Sequence, residues 1–105
     1  MKRRGRLQDR TGKIWARFTD ARDAYGAFVA RCELLNMPPG ARTVFEEHEQ
    51  RVSRQELSFL DDLKETIRGF GLQVVWDGED QIIGVADVQL FETEISFRLS
   101  PVAAQ

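Results

Sequence analysis

The chain has 105 residues, of which 42% are hydrophobic and 30% are charged. These values are typical of one globular domain and exclude a disordered or fibrous chain. The single cysteine excludes an internal disulfide, and no apolar run reaches the ~20 residues that a transmembrane helix needs. We therefore expect a cytoplasmic domain that folds without covalent cross-links.

The formal net charge of −2 conceals opposite charges in the two parts of the chain. Residues 1–42 carry ten Lys or Arg side chains against four acidic ones, whereas residues 43–105 carry five against thirteen. Such an asymmetry bears on partners rather than on fold. It indicates either a basic surface for an external partner or pairing between oppositely charged parts of the same chain.

Residues 1–10 are basic, polar and without hydrophobic periodicity, which predicts a flexible arm. A mobile basic arm can bind the phosphates of a nucleic acid. The candidate nucleic-acid-binding residues are Lys2, Arg3, Arg4, Arg6, Arg10 and Lys13. The alternative is a solvated tail, or a tail that pairs with the acidic surface of the same protein.

Between Ile14 and Leu35, apolar residues recur at alternating spacings of four and three, which predicts an amphipathic helix over residues 11–35. A rival interpretation starts from the turn-forming residues 9–12. It places a short hairpin over residues 5–18, followed by a helix that begins at Thr19 or Asp20. We favour the continuous helix because the spacing runs unbroken through the middle of the segment.

Two consecutive prolines in the segment 36–40 predict the end of the first helix and a short connection to a second one. The second helix is expected over residues 41–70. A bend is expected near Ser53, which begins a capping-box pattern with Glu56. The short connection makes the two predicted helices antiparallel neighbours.

The last third of the chain changes to period-two alternation, which predicts strands over residues 72–76, 82–90 and 95–99. Asp77-Gly78 is a strong turn signal between the first two strands. The apolar positions are even up to residue 90 and odd from residue 95. The chain must therefore turn or bulge within residues 91–94.

These elements predict an α+β fold, in which an antiparallel two-helix hairpin precedes a three-stranded antiparallel β-meander. Residues 11–100 would form the single α+β domain. The flexible basic arm over residues 1–10 would precede it, and a short tail over residues 101–105 would follow.

No residue pattern in the chain points to catalysis, to a cofactor or to a metal. His48 is the only histidine, and no further ligand lies at metal-binding helical spacing from it. Cys32 falls on the predicted apolar helix face and is expected to be an inert buried thiol. The acidic pairs at 61–62 and 79–80 are expected to be solvent-exposed charge and turn residues.

The predicted function is a small non-enzymatic protein-interaction module, such as an adaptor, regulator or inhibitor, with self-association into a homodimer as one form. An accessory nucleic-acid-binding protein that uses the basic arm is the alternative. The partner would meet either the second face of the predicted sheet or the stripe of the first helix. The candidate interface residues are Trp15, Phe18, Tyr25, Val75, Ile83, Val85 and Phe91.

Overall fold

Six strands and two helices make up the fold in the computed structural model, which describes residues 3–55, 60–91 and 93–99. In chain order they are β1 (Arg3–Gln8), β2 (Ile14–Ala24), β3 (Ala27–Leu34), α1 (Pro39–Ser53), α2 (Leu60–Gly69), β4 (Gln73–Trp76), β5 (Ile83–Phe91) and β6 (Glu94–Leu99). The strands form a closed barrel in the order β1-β2-β3-β6-β5-β4, and every neighbouring pair is antiparallel. Pairing of β4 with β1 closes the barrel.

The predicted α+β class, with a two-helix hairpin before a three-stranded meander, is therefore wrong. The three C-terminal strands exist, but they form half of a barrel that the N-terminal strands complete. The helical hairpin is absent from the described residues in its predicted place, because residues 11–35 contain the β2–β3 hairpin. The two helices that are present both follow that hairpin.

A β-bulge explains why the first third of the chain imitates a helix. The register of β2 against β3 shifts between Thr19 and Arg22, and Asp20 adopts a positive φ of 57° there. Because a bulge inserts an extra residue, Phe18 and Ala21 are both buried although they are three positions apart. The spacing of three that suggested a helical turn is produced by this irregularity in a strand.

The predicted arm over residues 1–10 is largely strand β1, which lies between β2 and β4. Leu7 is fully buried there, so β1 belongs to the barrel wall rather than to a free segment. The hairpin of the rival interpretation is observed, since β1 and β2 pair on either side of a turn closed by a bond from Gly12 N to Asp9 O. The helix that this interpretation begins at Thr19 or Asp20 is wrong, because β2 continues to Ala24 and is followed by β3. Lys2 and the predicted tail over residues 101–105 lie outside the described residues.

The predicted second helix is divided as expected near Ser53, where α1 ends. Helix α2 begins at Leu60, and residues 56–59 lie outside the described residues. The predicted turn within residues 91–94 is also confirmed, because β5 ends at Phe91 and β6 begins at Glu94. Within the described residues, neither helix is long and apolar enough to cross a membrane.

Aromatic side chains form the centre of the core. Phe18 and Phe28 both contact Trp76, with ring centroids 5.5 and 5.2 Å apart, and both contact Phe97 at 5.4 and 5.7 Å. Such pairs add to the stabilisation that burial of the rings provides. The guanidinium carbon of Arg3 lies 3.8 Å from the centroid of a Trp76 ring, so a cation–π contact covers this cluster.

The helices continue the core beyond the strands. Both pack against β5. Phe70, which follows α2, lies 5.3 Å from Trp15 and 6.0 Å from Phe45 between ring centroids. The indole Nε1 of Trp15 donates to Asp9 Oδ2 at 3.0 Å, which fixes the β1–β2 turn beside the end of α2.

Candidate functional site

A cavity of about 610 Å³ lies where α2 meets β4 and β5. This volume is within the range of small-molecule sites. Part of its wall is apolar, formed by Ile67, Leu72, Val85 and Val88. Four basic side chains, all on exposed residues, surround its mouth: Arg10, Lys64, Arg68 and Arg98.

Helix α2 supplies two of these basic groups. Lys64 and Arg68 are four residues apart, so they lie one above the other on the same helix face. Arg68 forms an ion pair with the exposed Glu65, whereas Lys64 has no ion pair within the described residues. Lys64 therefore contributes a positive charge with no carboxylate of the described residues at ion-pair distance.

Arg10 reaches the cavity from the β1–β2 turn. Its Nη2 donates to the carbonyl oxygen of Gly69 at 3.0 Å, at the C-terminal end of α2. A cation at this end of a helix is favoured by the helix dipole. The guanidinium also lies against Gly71, where a Cβ atom would collide with it and where φ is +64°. Because glycine has no Cβ atom, the guanidinium of Arg10 can lie against position 71 at the mouth of the cavity.

The cavity lining also includes Arg98 of β6, whose Nε lies 3.5 Å from Asp87 Oδ2 of β5. Asp87 has a positive φ of 53°, at a register shift between Ala86 and Gln89. It is the one acidic side chain among the described residues that line the cavity. Four cations thus face two carboxylates, Asp87 and the Glu65 that pairs with Arg68, which leaves an excess of positive charge at the mouth.

His48 of α1 supplies a different kind of group. Its side chain lines the cavity but is only 2% exposed, and its Nδ1 has no hydrogen-bond partner within the described residues. Burial lowers the pKa of His48 below its ordinary value, and the positive charge of Lys64 lowers this pKa further. At neutral pH the imidazole is therefore uncharged, with one nitrogen able to donate a hydrogen bond and the other able to accept one.

Acidification is expected to destabilise the fold through His48. Because folding lowers its pKa from the ordinary 6.5, the unfolded chain takes up the proton more readily. The contribution of His48 to the free energy of unfolding is complete above pH 6.5 and is lost as the pH falls through that value towards the folded-state pKa. Urea denaturation at about pH 7.5 and about pH 5.5 measures this loss. We expect the free energy of unfolding of His48→Leu protein to fall less between these two pH values than that of the wild-type protein. An equal fall in both proteins would show that His48 is not the cause.

The structure gives the described members of the six predicted basic residues different surroundings. Arg3 forms an ion pair with Glu79 at 2.9 Å besides its contact with Trp76, and Arg10 stands at the cavity mouth. Arg6 is half-buried and donates to Gln8 Oε1, whereas Arg4 and Lys13 are exposed. Lys2 lies outside the described residues, and nucleic-acid binding stays a prediction.

The seven predicted interface residues differ in how far the fold exposes them. Trp15, Phe18 and Val75 are buried within the single chain, and Ile83 and Val85 are half-buried. Tyr25 is fully exposed at the tip of the β2–β3 hairpin, with a positive φ of 57°. The side chain of Phe91 lies outside the described residues. Binding of a protein partner stays a prediction, and Tyr25 is the fully accessible member of this set within the described residues.

Cys32 is half-buried on β3. Burial, together with the negative charge of Glu94, raises the pKa of its thiol to about 11. The thiol is therefore protonated at neutral pH and is a poor nucleophile. In the part of the chain that the structure describes, no three His, Cys, Asp or Glu side chains come together in a way that could hold a metal ion.

Sequence reasoning missed the cavity because its residues come from five separate parts of the chain. One local signal did exist. His48 follows Phe45 at a spacing of three, and both are buried on the same face of α1. A lone histidine on an apolar helix face points to an interior position, but it does not reveal the cations that α2 and the β1–β2 turn bring beside it. Searches of the chain against protein-family models, curated proteins and solved structures each found no match.

Proposed function

We propose that the protein is a small binding module whose cavity holds an amphiphilic anion, meaning a small molecule with one anionic group and an apolar body. The observation that carries this proposal is the excess of basic side chains around a cavity whose wall is partly apolar. The proposal keeps the non-enzymatic character predicted from the sequence and changes the partner from a protein to a small molecule.

The basic mouth provides the attraction for the anionic group. Charges around a cleft with low-dielectric walls raise the local concentration of an oppositely charged ligand. Lys64 is available for direct pairing, and Arg68 and Arg10 can each offer further donors while they keep their contacts with Glu65 and Gly69. Since the mouth is exposed, added salt should weaken this attraction.

The apolar wall provides the second part of the affinity. Ile67, Leu72 and Val88 are buried side chains on the cavity wall. Each methylene group that a ligand buries against such a wall contributes about 0.8 kcal/mol. A short alkyl chain therefore suits the wall, while its anionic head remains among the basic groups at the mouth.

Binding of hexyl phosphate, measured by isothermal titration calorimetry, tests the proposed function. We expect wild-type protein to bind this ligand with an affinity that falls as salt is added. The double substitution Lys64→Gln/Arg68→Gln should weaken binding at least about tenfold, which corresponds to a loss of about 1.4 kcal/mol. Hexan-1-ol, which lacks the anionic group, should bind much more weakly than hexyl phosphate.

The double substitution Arg42→Gln/Arg54→Gln is the matched control. It removes two positive charges from exposed residues on or next to α1 that do not line the cavity. The affinity for hexyl phosphate should remain close to that of the wild-type protein. The proposed function fails if wild-type protein does not bind hexyl phosphate, or if both double variants lose affinity equally.

A further inference from the structure

Two of the four basic groups that line the cavity have a carboxylate of their own. Arg68 forms an ion pair with Glu65. Nε of Arg98 lies 3.5 Å from Asp87 Oδ2. Each of these pairs is close to neutral at pH 7, so neither adds a full positive charge to the cavity. The two arginines keep unused N–H donors, but the charge of a ligand must be balanced by other groups.

Arg10 and Lys64 carry the two remaining positive charges. Neither forms an ion pair within the described residues, and the hydrogen bond of Arg10 goes to the uncharged carbonyl of Gly69. Asp61, three residues before Lys64 on α2, is exposed and does not line the cavity. The excess of charge that faces a ligand is therefore close to two.

These two unpaired cations reach the same part of the cavity wall. Arg10 binds the carbonyl oxygen of Gly69, which lies five residues after Lys64 and thus about 7.5 Å further along the axis of α2. Lys64 has a flexible four-carbon side chain, and Arg10 has N–H donors besides the one that it uses. Because both residues line the cavity, one anionic group of the ligand can meet both cations.

A phosphate monoester matches this charge better than a carboxylate does. Its second pKa is about 6, so it carries about −1.5 to −2 at pH 7, on three oxygens that accept hydrogen bonds. A carboxylate carries a single negative charge on two oxygens. A phosphate monoester can therefore balance Arg10 and Lys64 together, whereas a carboxylate leaves one of these charges uncompensated.

We propose that the cavity selects the dianionic form of a phosphate monoester, with the charges of Arg10 and Lys64 balancing those of the ligand. This inference rests on the proposed function and specifies its anionic group. The ligand class is an alkyl or aryl phosphate whose apolar body lies against the wall of the cavity. Arg10 and Lys64 act as binding residues that distinguish a dianion from a monoanion.

Hexyl sulfate tests this selection because it has the same chain and the same tetrahedral head as hexyl phosphate but only one negative charge. Isothermal titration calorimetry at about pH 7.5 compares the two ligands. We expect hexyl phosphate to bind about five- to tenfold more tightly, as an additional charged contact allows. At about pH 5, where hexyl phosphate has taken up a second proton, the two affinities should be nearly equal.

The ratio of the two affinities separates the titration of the ligand from that of the protein. His48 lines the cavity, and the carboxylates of Asp87 and Glu65 lie beside its basic groups. A change in the charge of these residues acts on both ligands, whereas only hexyl phosphate changes its own charge between the two pH values. Circular dichroism checks that the protein is folded at both.

Single substitutions assign the preference to the unpaired cations. Arg10→Gln and Lys64→Gln each remove one of them and should reduce the preference for phosphate over sulfate to less than about threefold at pH 7.5. Arg54→Gln is the matched control, since it removes an exposed cation that does not line the cavity, and it should keep the full preference. Glu65→Gln leaves Arg68 without its carboxylate and should increase the preference, a gain that loss of folding cannot produce.

The outcomes separate this inference from the proposed function. If hexyl sulfate binds as tightly as hexyl phosphate at pH 7.5, selection of the dianion is overturned and the proposed function stands. An undiminished preference in both Arg10→Gln and Lys64→Gln protein overturns it as well. If neither ligand binds to wild-type protein, the proposed function fails and this inference fails with it.

Discussion

Replacement of Trp76 by Ala is expected to lower the free energy of unfolding by about 3–5 kcal/mol. Trp76 is only 2% exposed, and its ring contacts Phe18, Phe28 and Phe97 in the centre of the core. It also carries the cation–π contact with Arg3. Because small domains are stable by only about 5–15 kcal/mol, the substitution should remove a large part of the total stability. Urea denaturation followed by far-ultraviolet circular dichroism measures the change.

Tyr25→Ala provides the aromatic control for this substitution. Tyr25 is fully exposed at the tip of the β2–β3 hairpin, so its removal should change the free energy of unfolding by less than about 0.5 kcal/mol. A Trp76→Ala variant that loses less than about 1 kcal/mol would show that the aromatic cluster is not the centre of the core.

Gly5→Ala is expected to destabilise the barrel by about 2–3 kcal/mol through overpacking. A Cβ atom at position 5 would lie 2.7 Å from Phe18 Cζ and 2.7 Å from the backbone oxygen of Val75. The ring of Phe18 can move, but the backbone oxygen belongs to β4, which pairs with β1 to close the barrel. The midpoint of thermal denaturation should therefore fall by about 10 °C or more.

Gly40→Ala is the matched control, since the added Cβ atom would have no neighbour within 4 Å. Gly40 lies in the first turn of α1, where alanine is the better helix former. The free energy of unfolding of Gly40→Ala protein should be unchanged or higher by up to about 1 kcal/mol. Equal destabilisation by both glycine substitutions would show that the close approach of β1 and β4 is not the cause.

The elements that could be predicted are those with local signals. The expected bend near Ser53 agrees with the end of α1, and the β5–β6 turn follows from the parity change in apolar positions. The turn at Asp77-Gly78 likewise requires only its two residues and ends β4. These features depend on neighbouring residues, so the sequence pattern was sufficient.

Only the rival hairpin interpretation places a strand at β1, because the inward side of this strand contains a glycine. Leu7 is the only large apolar side chain of β1 that the barrel buries, and Gly5 faces the ring of Phe18. The Phe18 ring of β2 thus fills the part of the core next to Gly5. Because β2 fills the space on its inward side, β1 has almost no hydrophobic periodicity of its own. The arginines of β1 further make it resemble a flexible arm.

The candidate site could not be predicted because it depends on barrel closure. Arg10 comes beside α2 only when the β1–β2 turn is in place, and Arg98 comes beside Asp87 only when β6 pairs with β5. The opposite charges of the two parts of the chain gave a partial indication. Arg3 and Glu79 do form an ion pair between them, and Arg10 is the one described basic residue of the first part that lines the cavity.

The closing pair of the barrel has a consequence for biosynthesis. Gly5 of β1 pairs with Trp76 of β4, so these strands meet only after most of the chain has been made. Until then the β1–β3 sheet presents an open edge, to which a second nascent chain could add a strand. Charged side chains on an edge strand hinder such pairing. We therefore expect Arg4 and Arg6 of β1 to hinder aggregation of the incomplete sheet during synthesis, whatever role they have in the finished protein.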